Sequence, residues 1–253
     1  MSKIGVTAHR GCKGYIPENT LISFKEALDL KVDVLEYDVH MCLDGELIIM
    51  HDSLAVRTTG AKGSVDFMTL EEIKALDAGE TLYGEKYKGT PVPTLRETLE
   101  LFASYDYKPE QIIEIKDFRA EVADKIVALV DEFDLRERTI IECGDAQVLK
   151  YLHKKHPDIR LLAFPTPLMK RFEPEIYDFV YAVAIPFNSP RLGGDDNVRA
   201  LVDEFASKGI KIYLFNGDTD ELMEKCLSYS HVDNITSNYP KFCMDYLSER
   251  GYY

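Results

Sequence analysis

From about residue 110 to its end the chain repeats one unit, a short apolar run followed by an amphipathic helical stretch, and this repetition limits the fold more than any other feature. Strands are expected near 111–116, 138–143, 159–164, 179–185, 210–215 and 232–236. Helices are expected near 119–133, 145–155, 196–207, 219–229 and 239–249, with a shorter one near 168–173. Two more strands precede these, Ile4 to Ala8 and Val32 to Val39. The helix between them carries Leu21, Phe24, Ala27 and Leu28 as one apolar stripe, with Asn19 or Thr20 placed to cap it. Strands that alternate with helices imply a parallel sheet, and eight such units close as a (β/α)8 TIM barrel of the α/β class. At 253 residues the chain has the length of one such barrel and lacks room for a second full domain, so residues 1–253 are read as a single domain. Between Asp52 and Pro93 the alternation lapses. This segment is read as a small cap inserted after strand two, about 52–93, and loops this long in a compact domain usually serve a site.

Composition narrows the partners. A net charge of −14 argues against nucleic-acid binding, which needs a basic face against the phosphates. No run of eighteen apolar residues is present, so no membrane span is expected, and Met1-Ser2-Lys3 leads into the first strand without a signal-peptide core. Five cysteines, an odd count without paired spacing, suit a reducing cytosol, and a cytoplasmic location is expected.

The chemistry-bearing residues gather in residues 8–52. His9 and Arg10 stand where the first strand ends, the catalytic face of a barrel. On the second strand Leu35, Tyr37 and Val39 share one face while Glu36 and Asp38 share the other. Asp44-Gly45 is a hairpin signal, and Glu46 to Met50 returns as a second β-rich run. With Asp44 and Gly45 as the two central residues, His51 is expected directly opposite Asp38. On the third barrel strand Ile112, Glu114 and Lys116 share one face, which brings a further carboxylate and an ammonium to the same mouth.

In this stretch the chain closely resembles the glycerophosphodiester phosphodiesterase family. The resemblance is carried by His9-Arg10-Gly11, Pro17-Glu18-Asn19-Thr20, Glu36-x-Asp38, Asp44-Gly45 and His51-Asp52, in the family's order and at about its spacing. It continues through Leu76-Asp77-Ala78-Gly79, Pro93-Thr94-Leu95, Glu114-x-Lys116 and Thr236 to Pro240, and so covers nearly the whole chain. It departs from the family near the seventh strand, where many relatives carry a tryptophan and this chain has Tyr213-Leu214-Phe215-Asn216. Cys143-Gly144 stands where Ser-Phe is common, and Ser237-Asn238-Tyr239-Pro240 replaces the commoner Thr-Asp-Tyr-Pro form. The resemblance implies hydrolysis of glycerophosphodiesters, small-molecule substrates, to glycerol 3-phosphate and an alcohol such as choline or ethanolamine. It also implies that the insertion helps to form the substrate pocket.

The residues themselves support such a reaction. Glu36, Asp38 and Glu114 form an oxygen-only ligand set, suited to one hard divalent cation, Mg²⁺ or Ca²⁺, with Mn²⁺ as a further ion. Arg10 and Lys116 are the expected phosphate-binding cations. His9 and His51 are the expected general acid and base, and the sequence leaves open which is which. Glu18 is read either as reaching the site or as capping the helix that follows. One rival reading is a lysophospholipase D or a cyclising phospholipase-like lyase, against which the lack of a membrane span or clearly basic amphipathic helix counts. The other is a catalytically silent barrel that holds a phosphorylated ligand, against which the intact residue set counts.

Overall fold

The structure, a computed structural model, describes residues 3–253. Its strands in chain order are β1 (Gly5–Ala8), β2 (Val34–Met41), β3 (Leu47–Ile49), β4 (Glu110–Ile115), β5 (Thr139–Cys143), β6 (Arg160–Ala163), β7 (Ala182–Ile185), β8 (Lys211–Phe215) and β9 (Asn234–Ser237). All except β3 run parallel, and β1 pairs with both β2 and β9, so eight strands close into a barrel. The eight expected apolar runs are these eight strands, and where the 3.6-residue pattern takes over an α-helix follows each except β6.

Alternation along the strands builds the site's floor. Val34, Ile112, Ile140, Leu162, Ala182 and Tyr213 point into the barrel and form a buried apolar layer. One step along three of those strands, on the same inner face, stand Glu36, Glu114 and Glu142. The neighbouring residues Leu35, Tyr37, Val39, Ile113 and Ile115 point outward into the larger core beneath the helices. The strand β2 is buried on both faces throughout, so its two carboxylates lie inside the protein and not on a solvated sheet face.

Two expectations are corrected. The β2–β3 register pairs Val39 with Ile49 and Met41 with Leu47, one residue away from the expected pairing. The connection is a three-residue loop, Leu43-Asp44-Gly45, closed by Cys42 N donating to Glu46 O at 2.9 Å, with Gly45 in the left-handed region (φ 86°). Asp38 therefore lies opposite Met50, whose N–H donates to Asp38 O at 3.1 Å, and His51 stands one residue past the pairing. The short helix expected near 168–173 is absent. Two 3-10 turns, Thr166–Leu168 and Pro174–Asp178, flank an extended link instead, because Arg171 stands in the left-handed region (φ 44°) and Glu173, which precedes Pro174, is extended.

The segment between β3 and the helix Leu95–Ala103 carries the short helices Val56–Thr59, Leu70–Lys74 and Glu80–Tyr83. It packs around its own apolar cluster of Met50, Ala55, Val65, Ile73, Ala78 and Val92, joined to Cys42 and Ile48 of the hairpin. This is the inserted cap, and it stands over the barrel mouth beside β2.

Candidate active site

The chain leaves β1 through Arg10 (φ 52°) and Gly11 (φ 78°), two consecutive left-handed residues that turn the arginine back over the barrel. A Cβ on Gly11 would lie 2.3 Å from Ser23 Oγ, so this turn has no room for a side chain. Gly11→Ala is expected to destabilise the protein by about 2 kcal/mol or more, from left-handed strain and this clash together. Urea denaturation checks it, and an unchanged midpoint would refute it.

Within the turn Arg10 N donates to Glu36 Oε2 at 2.7 Å and Arg10 Nη1 to Glu18 Oε1 at 2.8 Å, while Nε lies 3.1 Å from Asp38 Oδ2. Nη2 makes no hydrogen bond to the protein among the described residues, leaving one fork of the guanidinium for an anion. Burial opposes the charge on Arg10, yet Asp38, Glu18 and Glu36 outweigh it and raise its pKa.

Asp38 is fully buried. Its Oδ1 lies 3.2 Å from Lys116 Nζ, and its Oδ2 accepts from Asn19 Nδ2 at 2.8 Å. Burial would raise its pKa, but Lys116 and Arg10 win and hold the carboxyl below its ordinary range. Lys116 also pairs with Glu114. Glu36, Glu114 and Glu142 form a tighter group, with one oxygen from each within 4.8 Å of the others, and Glu36 Oε1 is buried without a hydrogen-bond partner. All three have raised pKa values, with burial the largest cause; next come Asp38 for Glu36 and Glu114 for Glu142, while Lys116 opposes the shift at Glu114. Four carboxylates here face two cations. The excess of negative charge and the orphaned oxygen fit a hard divalent cation.

The two histidines stand at the same mouth. His9 N donates to Ser237 O at 3.1 Å, its Nδ1 contacts Asn238 Oδ1 at 2.6 Å, and its ring meets Phe215 edge-on at 4.6 Å. His51 Nδ1 contacts Asp52 Oδ1 at 2.6 Å, and its carbonyl faces His40 Nε2 at 3.2 Å. Each ring thus engages Nδ1 and keeps Nε2 for the cavity. Burial lowers both histidine pKa values. Arg10 and Lys13 add to this at His9, and Asp38 opposes it at His51. The cavity they border holds about 200 Å³ and is lined also by Arg10, Glu114, Lys116, Phe164 and Tyr213.

His9, Arg10, Glu36, Asp38, His51, Glu114 and Lys116 therefore meet at one mouth, as the sequence placed them. Glu18 does not cap the helix Leu21–Asp29; Thr20 does. Glu18 instead bridges Arg10 and the cap residue Arg57, whose Nη1 and Nη2 reach it at 2.9 and 2.8 Å and whose Nε pairs with Asp52. This brings Glu18 down to about 2 against burial, the largest single influence, because Arg57 and Arg10 together exceed it. Glu142 and Arg57 escaped the sequence reading. For Glu142 a signal existed, since it follows Ile140 by two residues just as Glu114 follows Ile112. For Arg57, on a one-turn helix in a segment without periodicity, there was none.

An acidic barrel mouth bordered by two Nδ1-anchored histidines and an arginine fork defines a barrel hydrolase of phosphate esters. The model of the glycerophosphoryl diester phosphodiesterase family matches residues 9–241, and the chain belongs to that family. It is an enzyme, a phosphoric diester hydrolase with glycerophosphodiester phosphodiesterase activity. The chain is 32% identical to a glycerophosphodiester phosphodiesterase of Caldanaerobacter subterraneus subsp. tengcongensis, over 97% of this chain and 98% of that one. It is 30% identical to a glycerophosphodiester phosphodiesterase of Bacillus subtilis, over 94% and 84%. An Oleispira antarctica phosphodiesterase, solved in complex with the product sn-glycerol-3-phosphate, shares the fold with a TM-score of 0.83 at 24% identity, over 96% of each chain.

Proposed function

We propose that this enzyme hydrolyses glycerophosphodiesters to glycerol 3-phosphate and an alcohol in a divalent-cation-dependent reaction, with His9 and His51 as the general acid and base. The observation that carries this reading is the pair of Nδ1-anchored histidines bordering one cavity above the gathered glutamates. The Oleispira neighbour's bound sn-glycerol-3-phosphate supports the product assignment.

Glu36 and Glu114, with Asp38 or Glu142 as third carboxylate, would hold the cation. When bound, Mg²⁺ or Ca²⁺ would offset the carboxylates and polarise phosphoryl oxygens. Arg10, held by Glu18 and Asp38, offers Nη2 to a non-bridging oxygen, and Lys116 adds a second positive charge. Each histidine, with Nδ1 engaged, takes or gives a proton at Nε2. The floor of Val34, Ile112, Ile140 and Leu162 excludes water from below. The cap supplies His51 with Asp52 and Arg57, so it completes the pocket of a single-domain enzyme. Five free cysteines, all buried, fit a cytoplasmic protein.

The test is incubation of EDTA-stripped enzyme with glycerophosphocholine, with and without Mg²⁺, Ca²⁺ or Mn²⁺, followed by ³¹P NMR. Ion-dependent glycerol 3-phosphate is expected. An accumulating cyclic phosphate would replace hydrolysis with the lyase reading, and no turnover with any ion, on this or other diesters, would leave a silent binder. Calorimetric Ca²⁺ titration of Asp38→Asn and Glu142→Gln identifies the third ligand. The variant of the true ligand is expected to bind about 10- to 100-fold more weakly, and equal, unchanged affinities would exclude both.

A further inference from the structure

The loops after β8, β9 and β1 bring Asp218, Asn238 and His9 into one line. Asp218 Oδ1 accepts the Asn238 N–H at 2.8 Å, and its Oδ2 accepts from Asn238 Nδ2. Asn216 Nδ2 reaches the same Oδ2, and Ser237 Oγ lies 3.0 Å from Oδ1. A carboxylate surrounded by donors only accepts, so the amide of Asn238 has one orientation: nitrogen toward Asp218, oxygen toward His9. The amide oxygen also only accepts. The imidazole atom against it, Nδ1 at 2.6 Å, must therefore carry the hydrogen.

We infer that Asn238 and Asp218 are positioning residues for His9: the carboxylate fixes the amide, the amide fixes the ring, and His9 is held as the Nδ1–H tautomer with the Nε2 lone pair free to take a proton. This deepens the proposed function and rests on its claim that His9 moves a proton. Neither residue reaches the reacting atoms; both act through the ring. The edge-on Phe215 ring holds the other side of the imidazole, so the tautomer and the ring plane are set by separate groups. The partner of His51 is different in kind. Asp52 is a carboxylate and favours a charged ring with a full opposite charge, whereas the Asn238 amide oxygen offers His9 only a dipole, which burial and the nearby Arg10 and Lys13 outweigh in favour of the neutral ring. The arrangement accordingly makes His9 the proton acceptor of the resting enzyme.

A swap of the two groups tests this in the full-length enzyme with Mg²⁺ and glycerophosphocholine. Asn238→Ala is expected to lower kcat about 10- to 100-fold with little change in KM, because it removes orientation and not substrate contact. Asn238→Asp alone sets two carboxylates against each other, and Asp218→Asn alone lets the Asn238 amide turn over, so each single variant is expected to lose activity. The double variant, Asp218→Asn with Asn238→Asp, restores one acceptor toward His9 and one donor behind it, and is expected to recover at least about tenfold over either single variant. Imidazole ¹⁵N shifts give a readout that a merely structural role would not move: a single Nδ1–H tautomer in the wild type and a mixture in Asn238→Ala. A double variant no better than the singles, or a wild-type His9 protonated at Nε2, would overturn the inference. His9→Ala is assayed alongside. If it runs at the wild-type rate, the role of His9 itself falls; if it is inactive while Asn238→Ala is fully active, only the positioning pair falls. Should Asn238→Ala fail to fold, the swap and the wild-type shifts decide alone.

Discussion

His9→Ala and His51→Ala are each expected to lower kcat on glycerophosphocholine by about 10² to 10⁴, the contribution of one positioned acid or base. Each ring has Nδ1 engaged and nothing but the cavity before Nε2, so alanine removes the proton path and leaves Arg10, Lys116 and the carboxylates in place. KM should change little, since neither ring is the main phosphate contact. The double variant should fall well short of the product of the two losses, because residues acting in one proton path are not additive. Both variants should fold: Asn238 is half-buried, so water replaces the lost ring, and Asp52 keeps its pairing with Arg57. Initial rates from ³¹P NMR decide the matter, and a variant at the wild-type rate would remove that histidine from the reaction.

What the sequence disclosed followed from periodicity, and what it hid came from contacts between aperiodic segments. Period-two alternation placed Glu36 and Asp38 on one face and Glu114 and Lys116 on another, and the structure puts all four at the barrel mouth. The same alternation marks Glu142, which becomes visible once Ile140 is recognised as part of the inner layer. The hairpin register was ambiguous, because Asp-Gly serves two-residue and three-residue loops alike and a left-handed glycine fits either. A one-residue slip there decides which side chains enter the cap: Met50 packs into its core, while His51 passes to the cavity. Arg57 could not be read at all. Its two partners, Glu18 through both oxygens and Asp52, come from opposite sides of the β2–β3 hairpin, and no local pattern predicts a salt bridge across thirty-nine residues. Asp218 and Asn238 are hidden in the same way, twenty residues apart on neighbouring loops.

Adding Mg²⁺ or Ca²⁺ to the EDTA-stripped enzyme is expected to raise its melting temperature strongly at about pH 8 and only weakly at about pH 5, because ligands must lose protons to bind. The cause lies in Glu36, Glu114 and Glu142, whose folded-state pKa values stand above the ordinary 4.5, through burial first and their neighbouring charges second. For a carboxyl shifted upward, the folded state holds its proton longer than the unfolded chain does. Its stabilising contribution is complete below the unfolded pKa and disappears as pH climbs through the raised folded value. The ion-free enzyme therefore loses stability from these three groups as pH rises above the ordinary glutamate range. Glu18, held at about 2, and Asp38, also depressed, act in the opposite sense: their contributions are present above their unfolded values and vanish on acidification. The ion reverses the first loss, since a cation at one hundred times its dissociation constant adds about 2.7 kcal/mol to the folded state, and less competition from protons at high pH strengthens binding. Glu36→Gln separates the two effects. The amide imitates the protonated acid, so this variant is expected to melt higher than the ion-free wild type at about pH 8 and to respond little to added ion. Scanning calorimetry of both proteins at the two pH values gives the answer. An ion response of equal size at both, or a Glu36→Gln variant that responds like the wild type, would show that these glutamates do not hold the cation.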